Sequence, residues 1–311
     1  MPFELTILGC NSAVPTNHRK PTSQLLNVVG SYFLIDCGEG TQLQLRKYKL
    51  RMQNISHVFI SHLHGDHYFG LIGFISSMHL MGREKELHIH GPSQLKEIIY
   101  AQLDASKTEL CYPLFFHDFD FKKPELILEN KDLTVHTIPL NHSLPCCGFL
   151  FREKQKPRRM RREKIEEFAI PASKVPDIKS GGDFLTDDGK IIPHLELTRP
   201  AQKPRSFAFC SDTTYYEPII SQIQGVDILY HEATFLDELK DRARLTMHST
   251  AKEAATIAKK AQVGRLIIGH YSQRYYDLSP LKEEACSVFP DTLLANEGDT
   301  HHVIRTYDVD S

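Results

Sequence analysis

The chain has 311 residues, 41% hydrophobic, 24% charged and 9% aromatic. That composition supports a sizeable buried core and excludes a disordered or collagen-like polymer. With 37 Lys plus Arg against 39 Asp plus Glu the formal net charge is −2, so no global field attracts a polyanion, and affinity for nucleic acid has to come from local clustering.

In chain order, short apolar runs bounded by Gly, Asp or Asn predict strands at 3–8, 32–35, 58–60, 87–89, 133–138, 149–151, 207–209, 228–230, 266–268 and 303–304. Helical patterns lie between them at 41–50, 68–81, 93–103, 249–261 and 280–288, several behind a Ser or Asp suited to an N-cap. Strands alternating with helices predict an α/β fold of sheets covered by helices. The segment 152–203 interrupts this pattern with polar, charged and Pro-rich sequence and the turn signals Gly181-Gly182 and Asp187-Asp188-Gly189. It is predicted as an insertion into a core made of 1–151 and 204–311. Residues 152–164 carry eight basic side chains against two acidic ones, which concentrates positive charge in an otherwise slightly acidic protein.

Seven Cys at 10, 37, 111, 146, 147, 210 and 286 are odd in number and scattered, unlike a disulfide framework or a zinc ribbon. A reducing, cytoplasmic setting is expected. No basic-then-apolar leader and no run of about 18 apolar residues is present, so no membrane association is expected.

Seventeen His are the unusual feature, and they cluster. In Val58-Phe59-Ile60-Ser61-His62-Leu63-His64-Gly65-Asp66-His67 a strand runs straight into three His and one Asp. Extended residues two apart project to one side, so His62 and His64 can present two imidazoles to one ion. A sharp turn at Gly65 is expected to let Asp66 and His67 reach a second ion. Four residues do not complete a two-ion site. Remote ligands are expected just past other strand ends, where His142, Asp212 and His270 stand, and Asp212 with two carboxylate oxygens suits a bridge. His88, His90, His301 and His302 lack a neighbouring carboxylate pattern and are read as strand-surface histidines.

The HLHGDH run with isolated His142, Asp212 and His270 resembles the metallo-β-lactamase superfamily, which implies a four-layer αββα sandwich and a binuclear metal site. Further motifs resemble the ribonuclease Z family of tRNA 3′-end endonucleases: LTILGCNSAVPT at 5–16, FLIDCGEGTQLQL at 33–45, ISHLHGDHYFGL at 60–71, FCSDT at 209–213, HEATF at 231–235, HST at 248–250 and GHYSQRY at 269–275. The resemblance covers nearly all of the chain outside the insertion. It implies one zinc on His62, His64 and His142, a second on Asp66, His67 and His270, and Asp212 between them. It further implies Asp66 as proton acceptor for the attacking water, His248 as catalytic histidine and Glu232 as its acidic partner.

The implied activity is removal of the 3′ trailer from precursor tRNA by metal-hydroxide attack, leaving a tRNA 3′-hydroxyl and a trailer 5′-phosphate. The implied partners are precursor tRNA and a second copy in a homodimer. The insertion takes the place of the family's flexible tRNA-binding arm, and Arg158, Arg159, Arg161, Arg162 and Lys164 are its candidate phosphate contacts. Arg19 is a further candidate substrate contact. Its loop, Pro15-Thr16-Asn17-His18-Arg19-Lys20, keeps Pro15 and Arg19 of the family's Pro-x-Lys-x-Arg-Asn but changes the Lys and Asn positions. Two other readings stand beside this one: a small-molecule hydrolase of lactonase or thioesterase type, and a non-catalytic RNA-binding member.

Overall fold

The apolar runs of the N-terminal third pair into a seven-stranded sheet in a computed structural model that describes residues 2–306. Strands β1 (Phe3–Gly9), β2 (Ser23–Val28) and β3 (Ser31–Cys37) are antiparallel, and β4 (Ile55–Phe59), β5 (Leu87–His90) and β6 (Leu114–His117) continue in parallel. Helices Thr41–Lys47, Leu71–Leu80 and Gln94–Ala105 make the crossovers that parallel pairing demands. Thr300–His302 pairs along β1 at the opposite edge.

A second seven-stranded sheet holds β7 (Leu126–Glu129), β8 (Leu133–Pro139) and β9 (Cys147–Glu153), then Ser206–Cys210, Ile228–Glu232, Arg265–Gly269 and Thr292–Leu294. Helices Ala251–Lys260 and Ser279–Val288 connect its parallel members. The first of these starts with a capping box in which Thr250 and Glu253 satisfy each other's backbone N–H groups.

Side-chain alternation along the strands assembles the layers. Phe33 and Phe59 turn toward the other sheet and meet Phe151 and Phe149 at centroid distances of 5.9 and 5.3 Å, while Leu34 and Val58 turn the other way and pack with Leu45, Phe74 and Ile75 of the covering helices. Strands buried on both faces then appear as continuous apolar runs, which explains why Phe207–Phe209 and Leu266–Ile268 are legible in the sequence.

Four strands of the two large sheets were not expected: Ser23–Val28, Leu114–His117, Leu126–Glu129 and Thr292–Leu294. Ser23–Val28 is fully buried yet carries Ser, Gln and Asn, and its hairpin turns on Val29 and Gly30, both at positive φ, although only the glycine advertises it. The strand expected at 303–304 lies at Thr300–His302 instead, because the pairing with Glu4, Leu5 and Thr6 stops at His302.

Glu153–Arg205, with 304–306, form a separate compact unit. The sequence boundary of 152–203 therefore shifts by one and two residues, and the end of the described chain is added. The unit has its own small core of Ile170, Ile178, Phe184, Ile192 and Leu197. Around it lie the ribbons Arg159–Met160 with Thr198–Arg199 and Phe184–Leu185 with Ile191–Ile192. At its base Arg205 donates from Nε and Nη2 to the two Glu153 carboxylate oxygens at 2.9 and 2.8 Å, with both side chains buried.

Candidate metal centre

All seven predicted ligands come together where loops leave the strands of the two sheets. His62, His64, Asp66 and His67 follow β4, His142 follows β8, and Asp212 and His270 follow Ser206–Cys210 and Arg265–Gly269. The candidate ligating atoms form two separate sets, His62, His64, His142 with Asp212 and Asp66, His67 with His270, and a third set of Asp212, His248 and His270 overlaps both, the atoms within each set lying within 4.8 Å of one another. In the first set, His62 Nε2 and His142 Nε2 lie 3.0 and 3.2 Å from His64 Nδ1. Asp212 divides its oxygens between the sets. Its Oδ2 is 3.6 and 3.7 Å from His62 and His142, and its Oδ1 is 3.3 and 3.2 Å from His67 and His270.

The donor set fits divalent metal on an observation independent of the motif: His67 Nε2 is buried with no hydrogen-bond partner. Each of four ligand imidazoles has its other nitrogen engaged. His67 Nδ1 pairs with Asp36 Oδ2 at 2.7 Å, His142 Nδ1 with the Met247 carbonyl at 2.8 Å, His270 Nδ1 with Thr234 Oγ1 at 3.0 Å and His62 Nδ1 with Ser61 Oγ at 3.0 Å. That arrangement fixes ring orientation and leaves the opposite lone pair facing the centre. Asp36 is in turn held by the Ser61 N–H and hydroxyl.

These orienting groups, Asp36, Ser61, Thr234 and Met247, were missed as functional residues. Asp36, Ser61 and Thr234 lie inside quoted motifs, but nothing in a motif says which nitrogen a neighbour grips. Backbone strain collects here too, since Asp36, Met247 and His270 all adopt left-handed φ values of 53, 56 and 58°.

Gly65 has a different reason from the sharp turn expected. It opens the short helix Gly65–Tyr68, and a Cβ there would lie 2.2 Å from the Phe69 ring. Asp66 accepts the Ala13 N–H at 2.8 Å, which ties the first loop of the chain to the ligand segment.

His248 stands beside the second set, with His270 and Asp212 near its ring. Its Nδ1 pairs with Glu232 Oε1 at 2.8 Å. Glu232 is fully buried and also accepts from the Thr213 and Thr234 N–H groups and the Thr234 hydroxyl. Burial alone would depress the His248 pKa, but the Glu232 carboxylate outweighs it and pushes the imidazole up to about 9. A cavity of 420 Å³ lined by Ser12, His64, Asp66, Phe69, His248 and His270 opens onto these groups.

The predicted substrate contacts are placed less simply. Arg19 spends its guanidinium on the backbone, donating to the carbonyls of Tyr275 and Tyr276 at 2.8–2.9 Å, so it pins a loop and is not presented as a free cation. In the 153–205 unit Arg158 Nε donates to Thr198 Oγ1 and Arg161 Nε to the Thr198 carbonyl, at 2.7 and 2.9 Å. Arg162 and Lys164 pair with Glu166 and Glu167, and Arg159 lies in a ribbon strand. Of the histidines read as surface groups, His302 is exposed, but His90 is buried.

A family model described as Anti-Pycsar protein Apyc1 matches residues 3–156. Ribonuclease Z of Bacteroides thetaiotaomicron is 49% identical over 295 residues, covering 95% of this chain and 93% of the relative. Ribonuclease Z of Cytophaga hutchinsonii is 48% identical over 304 residues, covering 97% of each. Among solved structures, the short form of human tRNase Z superposes with a TM-score of 0.70 at 27% identity, covering 96% of this chain and 98% of that one. A metallo-beta-lactamase fold protein from Bacillus subtilis gives 0.68 at 19% identity over 97% of this chain and all of that one, a likeness of fold alone.

Proposed function

The chain belongs to the ribonuclease Z family of tRNA 3′-processing endoribonucleases, and from that membership we propose how its residues divide the work. His62, His64 and His142 would hold one zinc, Asp66, His67 and His270 a second, and Asp212 would offer an oxygen to each. The observation that carries this is the split of the Asp212 oxygens between two sets of imidazole nitrogens. Divalent cations held there would supply Lewis-acid polarisation of the scissile phosphate and a more acidic water.

The chain's own groups do the rest. Asp66, on the cavity wall, takes a proton from the attacking water. His248, held cationic by Glu232, donates its Nε2 proton to the departing 3′ oxygen of the tRNA. The tRNA then ends in a 3′-hydroxyl and the trailer in a 5′-phosphate. The 153–205 unit serves as the tRNA-binding arm, its Arg158, Arg159, Arg161, Arg162 and Lys164 supplying charge to the RNA backbone. Recognition through backbone and shape suits substrates that share only the tRNA fold. Arg19 contributes by shaping the loop at Pro15 through its carbonyl contacts.

The working form is a cytoplasmic homodimer. The free state of all seven cysteines supports the reducing setting, and no helix among the described residues is long and apolar enough to cross a membrane. A lactonase or thioesterase has no use for the His248–Glu232 pair or the basic unit, and a non-catalytic RNA binder has no need of a complete ligand set.

Mapping product ends after incubation with a 3′-extended precursor tRNA tests the reading. A tRNA with a free 3′-hydroxyl is expected. A 2′,3′-cyclic phosphate would mean that the ribose 2′-hydroxyl is the nucleophile, and the division of roles would fall.

A further inference from the structure

Four histidines outside the catalytic centre share one face of β4, β5 and β6. His57 lies opposite His88, and His90 opposite His117, on neighbouring parallel strands. Their rings stack at centroid distances of 4.9 and 4.7 Å. Across the diagonals, His57 Nδ1 is 3.1 Å from His90 Nε2, and His88 Nδ1 is 2.9 Å from His117 Nε2. The sequence hides the group, because only His88 and His90 are neighbours in the chain. His90 Nδ1 is buried without a hydrogen-bond partner. Strands of this kind ordinarily carry β-branched or aromatic residues, and a nitrogen left unsatisfied in a native interior asks for a reason.

Three features separate the outer pair, His88 and His117, from a merely packed one. The first is separation: the two nitrogens, joined in this structure by a 2.9 Å hydrogen bond that a bound ion would replace, are as close as the 3.0 and 3.2 Å pairs of the catalytic centre. With metal–nitrogen bonds of about 2.0–2.1 Å, two imidazoles at a right angle about one ion stand about 2.9 Å apart. The second is orientation. Glu86 Oε1 lies 3.2 Å from His88 Nε2, which keeps the proton on that nitrogen and leaves the Nδ1 lone pair facing His117, the carboxylate–histidine arrangement that prepares a metal ligand. The third is access, since His117 is exposed and His88 half-buried at the open edge of the sheet, so an ion can enter and water can complete its shell.

We propose that His88 and His117, oriented by Glu86 and backed by His57 and His90, form an auxiliary site for one divalent cation of the Zn2+, Ni2+ or Cu2+ class. Two imidazole donors favour these borderline ions over Mg2+ and Ca2+, which require oxygen. Burial first and then the neighbouring imidazoles push the backing His57 down to about 4, and burial chiefly lowers the donor His117. The charged and titratable groups facing the pair are His57, His90, Glu86 and Asp118.

The test uses tag-free full-length protein with its catalytic sites already loaded with zinc. Cu2+ is titrated in, bound copper is read by its electron paramagnetic resonance spectrum, and zinc release is monitored. One further cation per chain with nitrogen hyperfine structure from two imidazoles is expected, with zinc retained. His117→Asn and His88→Asn lose that copper while keeping zinc and precursor cleavage. Glu86→Gln, a milder change, weakens copper binding by about tenfold or more. No additional copper, copper retained in His117→Asn, or unchanged affinity in Glu86→Gln would overturn the proposal. Should a histidine variant lose its zinc through misfolding, the Glu86→Gln result decides.

Discussion

In the sheet core four ligand imidazoles are gripped on the nitrogen turned away from the centre, whereas in the 153–205 unit Arg162 and Lys164 pair with exposed carboxylates. His67 faces the metal centre with one nitrogen while Asp36 grips the other, and Asp36 is itself fixed by Ser61. Arg162 and Lys164, by contrast, pair with exposed carboxylates three or four residues away on their own helix, contacts worth only a few tenths of a kcal/mol in water. The difference matches two kinds of work. Bond-breaking chemistry needs atoms placed to a fraction of an ångström, whereas a phosphate backbone is attracted by charge that can shift with it.

The sharpest way to break this comparison is to remove the shared ligand. Asp212→Ala should abolish precursor cleavage and reduce bound metal at both positions, measured by elemental analysis, because each set loses an oxygen. His248→Ala should separate placement from chemistry: about two metals per chain retained, with activity lower by about 10²–10⁴-fold. A His248→Ala protein as metal-depleted as Asp212→Ala would make His248 a ligand. Glu232→Gln refines the same point through pH. His248 must be protonated to donate, so activity falls as pH rises through its pKa, and removing the carboxylate that raises that pKa should move the alkaline limb to lower pH.

Smaller effects are expected from the arm. Reversing Arg158, Arg159, Arg161 and Arg162 to Glu should raise the half-saturating tRNA concentration while sparing hydrolysis of a small phosphodiester. Each lost phosphate contact should flatten the log–log salt dependence by about 0.7–0.9. Equal loss on both substrates would show that the unit supports the core fold rather than the RNA. Glu153→Ala, which strands the buried Arg205 charge, should cost roughly 3–5 kcal/mol, seen as early proteolytic cleavage within 153–205 ahead of the core.

The smallest expected effect concerns acid stability. His57 is neutral in the fold down to about pH 4 but titrates near 6.5 when unfolded. Its contribution is therefore complete above pH 6.5 and is lost as pH falls from 6.5 through 4, by roughly 3 kcal/mol in all. His57→Phe should show a flatter decline in denaturant midpoint over that range than the parent chain.

Much of this was legible in the sequence because the ligands obey a local rule, a ligand-type residue just after an apolar run, and because doubly buried strands spell themselves out in Val, Ile, Leu and Phe. Ser23–Val28 was illegible for the opposite reason, its buried Gln24 and Asn27 imitating a loop. The orienting groups were hidden because the carbonyl of Met247 and the carboxylate of Asp36 act through position, which the identity of a residue does not disclose. The charge of the arm was visible, but its partners Glu166, Glu167 and Thr198 change what that charge is free to do.

The order in which the ligands occur along the chain has a consequence for biosynthesis. The three imidazoles of the first set are all present once His142 has been made, but the second set waits for His270, 128 residues later. At about 5–20 residues per second that is a delay of roughly 6–26 s. A nascent chain thus presents the three histidines of the first set well before the second set is complete, although Asp212 and the Met247 carbonyl that serve the first set also come later. Were metal to bind during translation, His62, His64 and His142 would be the first imidazoles to meet it.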